Sequence, residues 1–137
     1  MDMNIIGKEH SLCFIVDEGM LAHLDGTQIH PVCSTVTMTY YAELVARKLI
    51  EPLFEGTDQA IGGGIMLNHI AMAGIGERIV MHASITFFDG KKLISDFQAT
   101  IEGTNIVLCT GNQTQYVLDK HVIDTLIDKL RLRNIST

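Results

Sequence analysis

Alternation of apolar and polar positions is clearest in the C-terminal half of the chain. Ile79, Met81, Ala83, Ile85 and Phe87 are apolar at every second position, with His82, Ser84 and Thr86 between them. Leu93, Phe97, Ala99 and Ile101 repeat the pattern against Asp96, Gln98, Thr100 and Glu102. A period of two sends successive side chains to opposite faces, so both segments predict half-buried strands. Asp89-Gly90 between them has the chemistry of a tight hairpin, because glycine accepts a positive φ. A turn at Glu102-Gly103-Thr104-Asn105 leads into a third strand through Ile106, Leu108 and Thr110 towards Tyr116 and Leu118, completing an antiparallel meander. Upstream, residues 61–72 are largely apolar and open on Gly62-Gly63-Gly64. They predict a fourth strand whose glycine-rich start lets another backbone or a ligand come close. Residues 11–16 predict a shorter fifth.

The period changes over residues 36–54, where Met38, Tyr41, Ala42, Val45, Ala46 and Leu49 fall on one stripe of a helix. Ser34, Thr35 and Thr37 are candidate N-caps, and Pro52 marks the approach of the helix end. Val122, Ile123, Leu126, Ile127 and Leu130 predict a second, amphipathic helix over residues 121–132. There is no linker, repeat or low-complexity tract, so residues 1–137 read as one domain. The order strand, long helix, four antiparallel strands defines an α+β architecture in which the helix covers one face of a curled sheet. A single such layer leaves an edge unfilled, which edge-to-edge dimerisation would fill.

Composition narrows the function. The net charge is −6, and beyond Lys91-Lys92 there is no run of basic residues. Nucleic acid is excluded as a partner on that balance, since binding it requires phosphate neutralisation by a basic face. An anionic small ligand would need local donors. Only 19% of residues are charged, so apolar surface is expected to be buried against another subunit. No apolar run is long enough to span a bilayer and residues 1–9 lack a secretion signal, which predicts a cytoplasmic protein without membrane partners. Cys13, Cys33 and Cys109 form no CxxC pair. They read as reduced, buried thiols rather than a disulfide framework or zinc site, with Cys33 alone lying beside a candidate site. The histidines show no metal-ligand spacing, so no metal is expected.

Thr35 stands at the entry to the long helix, Glu43 eight residues later, and His69 twenty-six residues after that in the strand that follows a glycine. Gly62 lies seven residues before His69 and Gly76 seven after it. In these spacings, and in the order of its elements, the chain resembles the hot-dog-fold thioesterases related to fluoroacetyl-CoA thioesterase. The resemblance runs from about Cys33 to Gln113. It implies a sheet of about five strands wrapped around one long helix, a homodimer or a tetramer, and a CoA thioester as substrate with no cofactor. It further implies Thr35, Glu43 and His69 as catalytic residues, with Gly62, Gly63 and Gln113 at the substrate. One departure matters: the family places an arginine near the CoA portion where this chain has Gln113.

Thioester hydrolysis needs a nucleophile or activated water, a proton donor and donors to the oxyanion. Glu43 suits the first role as general base or direct nucleophile, and His69 suits the second. Thr35 could bond Glu43 or the substrate carbonyl, or be acylated itself. Backbone N–H groups of the helix's first turn and the glycine run are candidate oxyanion and pantetheine contacts. Taken singly, each residue also has an ordinary explanation: Thr35 as a cap, Glu43 on a solvated helix face paired with Arg47, His69 as a satisfied core histidine, the glycines as a bulge. Two other functions compete. A non-catalytic acyl-CoA-binding module would fit the missing arginine. A hot-dog dehydratase would want a carboxylate beside the histidine, and Ala71 follows it instead.

Overall fold

The computed structural model describes residues 1–136. In chain order the strands and helices are β1 (Glu9–Ile15), β2 (Leu21–Leu24), β3 (Thr27–Cys33), α1 (Thr35–Ile50), β4 (Asp58–His69), β5 (Arg78–Phe88), β6 (Lys92–Ile101), β7 (Val107–Asp119) and α2 (Lys120–Ser136). Five strands form one antiparallel sheet in the order β1-β5-β6-β7-β4. The predicted meander is β5-β6-β7, and the glycine-rich strand β4 returns to pair with β7, where it forms an edge.

Helix α1 lies across one face of this sheet, chiefly over β5 and β1. Its stripe Met38, Ala42, Val45, Ala46 and Leu49 is buried as the period predicts, against Ile79, Met81, Ala83 and Ile85 from β5 and Leu93, Phe97 and Ala99 from β6. Tyr41 stacks on Phe14 of β1 at 3.8 Å between ring centroids, which ties the helix to the far edge.

The elements depart from expectation in places. The helix ends at Ile50, and Glu51–Leu53 is a single 3-10 turn, because Pro52 lacks the N–H for another α-helical bond and its ring crowds the carbonyl four residues back. Strand β4 starts and stops three residues early. Its exit is fixed by Ile70 and Ala71, whose N–H groups both donate to the Leu108 carbonyl. A further difference is the hairpin β2-β3, where no element was expected. It turns through Asp25 (φ 52°) and Gly26 (φ 74°), the two successive positive φ values of a two-residue hairpin loop.

Candidate active site

The cap of α1 is Ser34, whose Oγ accepts from the Thr37 N–H at 3.0 Å. Thr35 is therefore released from capping. Its Oγ1 instead lies 2.8 Å from His69 Nδ1, joining the start of α1 to the end of β4. His69 Nε2 is buried and has no hydrogen-bond partner in the single chain. An orphaned buried nitrogen is costly unless something else fills it.

Glu43 sits two turns further along α1, exposed on the side that faces β4 and β7. Gln113 of β7 is 1% exposed and donates its amide Nε2–H to Glu43 Oε2 at 3.3 Å. Gly62 lies below the same carboxylate, and a Cβ on it would stand 3.9 Å from Glu43 Oε2. These residues, with Tyr40, Leu44, Arg47 and Gln115, line a recess of about 280 Å³.

A bulge makes the two clusters share a face. Gly62 pairs with Gln115 and Gly64 with Thr114, so Gly63 is the extra residue. Seven residues separate Gly62 from His69, an odd number that would send them to opposite faces of a regular strand. The additional residue restores parity and turns both towards α1. Gly63 points the other way, where the Tyr116 ring occupies the space a Cβ would need, at 2.3 Å.

Of the predicted site residues, Thr35 meets His69, and Glu43 meets Gly62 and Gln113. The two groups do not meet each other: eight residues of α-helix place Thr35 and Glu43 about 12 Å apart along the axis. The Glu43–Arg47 pair of the ordinary, non-catalytic explanation does not form. Arg47 turns to Glu51 at 3.5 Å and to the Ala60 carbonyl and Gln59. Gln115, which sequence reasoning missed, forms part of the recess floor.

Cys33 is buried beneath this region rather than open to it. Desolvation, helped by neighbouring Cys109, pushes its thiol up to about 11; burial takes Cys109 to about 11 as well. Cys13 is exposed. A thiol reagent at about pH 8 is expected to modify Cys13 alone in the native protein and all three cysteines in denaturant. Rapid native modification of Cys33 by mass mapping would contradict this burial.

The sequence profile of the fluoroacetyl-CoA-specific thioesterase family matches residues 16–121, well over half of the chain. The chain belongs to this family. Among curated protein sequences no relative matches it significantly. Among solved structures, a hypothetical protein of Thermus thermophilus described as a thioesterase superfamily member superposes with a TM-score of 0.93 at 25% identity, over 99% of this chain and 100% of that one. A single-residue variant of the fluoroacetyl-CoA-specific thioesterase FlK gives 0.80 at 16%, over 94% and 98% of the two chains. A hot-dog-like protein from Thermanaerovibrio acidaminovorans gives 0.84 at 14%, over 94% and 96%. The fold is thus the hot-dog fold, and family membership supports thioester hydrolysis as the reaction class. Among the described residues no helix is long and apolar enough to cross a membrane.

Proposed function

We propose that the protein hydrolyses short acyl-CoA thioesters as a homodimer, in which Glu43 of one subunit works with Thr35 and His69 of the partner subunit. The observation that carries this reading is the division of the trio into two incomplete halves within one chain. One half holds a carboxylate beside an open recess; the other holds a histidine with an unfilled nitrogen. A carbonyl about 3 Å from its attacking group cannot serve both halves across ~12 Å.

Strand β4 supplies the means of joining them. It is an edge with exposed Ile61, Ile65 and Met66, continued by Ile70 and Met72, and a long apolar edge is a template for pairing with another strand. With the bulge counted, Gly62 and His69 lie three ladder positions either side of Met66. Antiparallel pairing of two copies about that point sets Gly62 and Glu43 of one beside Asn68 and His69 of the other, and the two-fold generates a second, identical site.

At such a site Glu43 attacks the carbonyl carbon, directly or through a water from which it takes a proton. N–H groups in the first turn of α1 favour the developing oxyanion. Collapse breaks the C–S bond, and His69 Nε2 delivers a proton to the departing thiolate; the water route leaves the acid and the free thiol at once, whereas direct attack leaves an anhydride on Glu43 that a water then cleaves to release the acid. CoA as the carrier is supported by family relatives: one single-residue variant of FlK has been seen with acetyl-CoA, and another with fluoroacetate and CoA. Gln113 is uncharged, so CoA phosphates must find their donors elsewhere.

The test is a panel of acyl-CoAs followed by release of free thiol, alongside light scattering at micromolar concentration. Turnover of short acyl-CoAs by a dimer is expected. Tight acyl-CoA binding without turnover would favour a binding module, and a monomer would contradict the shared site.

A further inference from the structure

The face of the sheet beneath α1 is apolar almost throughout, with Ile85, Leu93, Phe97 and Val117 all buried there. Directly under the Glu43 recess it changes character. Ser95, Gln113 and Gln115 are buried side by side, at 0%, 1% and 2% exposure. Ser95 is the cross-strand partner of Gln113, and Leu93 that of Gln115. Ser95 Oγ, Gln113 Oε1 and Gln115 Nε2 have no hydrogen-bond partner. Packing does not require carboxamides here, and leaving them unpaired costs free energy.

The orientation of Gln113 is fixed by chemistry. A carboxylate only accepts, so the amide nitrogen must face Glu43 and the carbonyl Oε1 must be the unpaired atom. Gln115 is free to choose. The last torsion of a glutamine is broad and two-fold, so Gln115, which lines the recess, can exchange the places of its amide oxygen and nitrogen. Beside Glu43 the chain thus offers one unfilled acceptor and one movable donor.

We infer that this recess selects short hydroxyacyl thioesters, with the acyl hydroxyl donating to Gln113 Oε1 and accepting from Gln115 Nε2. A hydroxyl satisfies both atoms at once, whereas a methyl in its place satisfies neither. Sites built to bond a substrate hydroxyl discriminate strongly against the analogue lacking it. The inference rests on the proposed hydrolase reading, since it is the attack by Glu43 that places the acyl group in this recess. Gln115 is a specificity residue in this scheme.

The experiment compares matched thioesters, 3-hydroxybutyryl-CoA with butyryl-CoA and lactoyl-CoA with propionyl-CoA, for the wild type, Gln115→Met and Gln115→Asn. Wild type is expected to favour each hydroxyacyl member by about 10-fold or more in kcat/KM. That ratio falls towards unity in Gln115→Met; Gln115→Asn, which keeps the amide, provides a second reading if the methionine variant folds poorly. Equal rates within each pair for the wild type would overturn the inference and assign the polar cluster to a buried water only, while leaving the hydrolase reading intact. A preference that survives Gln115→Met would also overturn it. Calorimetric titration of Glu43→Gln with the same CoA esters separates the two claims. Tighter binding of the hydroxyacyl member supports the recess even if no ester turns over, and equal binding overturns it.

Discussion

Glu43→Gln is expected to lower kcat/KM for a short acyl-CoA by about three orders of magnitude, within the range spanned by general acid–base catalysis. The side chain is exposed in the single chain, and its partner Gln113 can bond an amide oxygen as well as a carboxylate. The fold should therefore hardly notice the change, and stability should move by no more than about 0.5 kcal/mol. In the proposed mechanism, what is lost is the negative oxygen that attacks the carbonyl or takes the proton from water. Initial rates of thiol release, set beside thermal melts of the same samples, separate the two effects. A fall smaller than about 10-fold would remove Glu43 from the bond-breaking step.

Gly111→Ala is expected to destabilise the protein by about 3 kcal/mol, the upper part of the range for overpacking a filled interior. A Cβ at this point of β7 would stand 1.9 Å from the Met66 carbonyl oxygen and 2.6 Å from the Phe97 ring. The ring could swing; the β4 backbone cannot move without breaking its ladder to β7, which runs through Leu67↔Gly111. In a domain of this size the melting temperature should drop by roughly 10 °C. Activity should fall even in the folded fraction, because the displaced strand carries both Gly62 and His69. An unchanged melting temperature would mean that β4 and β7 do not approach as described.

The strands and helix that bury a face were legible because burial imposes a period. Met38, Ala42 and Val45 on α1, and Ile79, Met81 and Ala83 on β5, could hardly be read otherwise. Hairpin β2-β3 escaped for the converse reason. Its strands bury little beyond Leu21 and Cys33, so no alternation marks them, although Asp25-Gly26 repeats the turn chemistry that was recognised at Asp89-Gly90. The candidate site was picked out through spacing matched to a family, not through any one residue. Spacing along a chain cannot reveal that Thr35 bonds His69 while Glu43 stands two helical turns away. Nor does it reveal that the bulge at Gly63 turns Gly62 and His69 to one face. Gln113 was noticed for the charge it lacks. Its burial against Glu43, and the company of Gln115 and Ser95, follow from the register of β6 on β7 and the helix laid over them, which only the fold brings together.

The division of the site between two subunits is tested most directly by mixing two inactive variants, Glu43→Gln and His69→Ala, through joint unfolding and refolding. Random pairing makes half of the dimers mixed, and each mixed dimer carries one site with both substitutions and one with neither. The mixture should regain about a quarter of the wild-type rate, as expected for two equivalent sites related by a two-fold axis. If mass spectrometry finds mixed dimers and the rate stays at the sum of the two variants, Glu43 and His69 do not act across the interface.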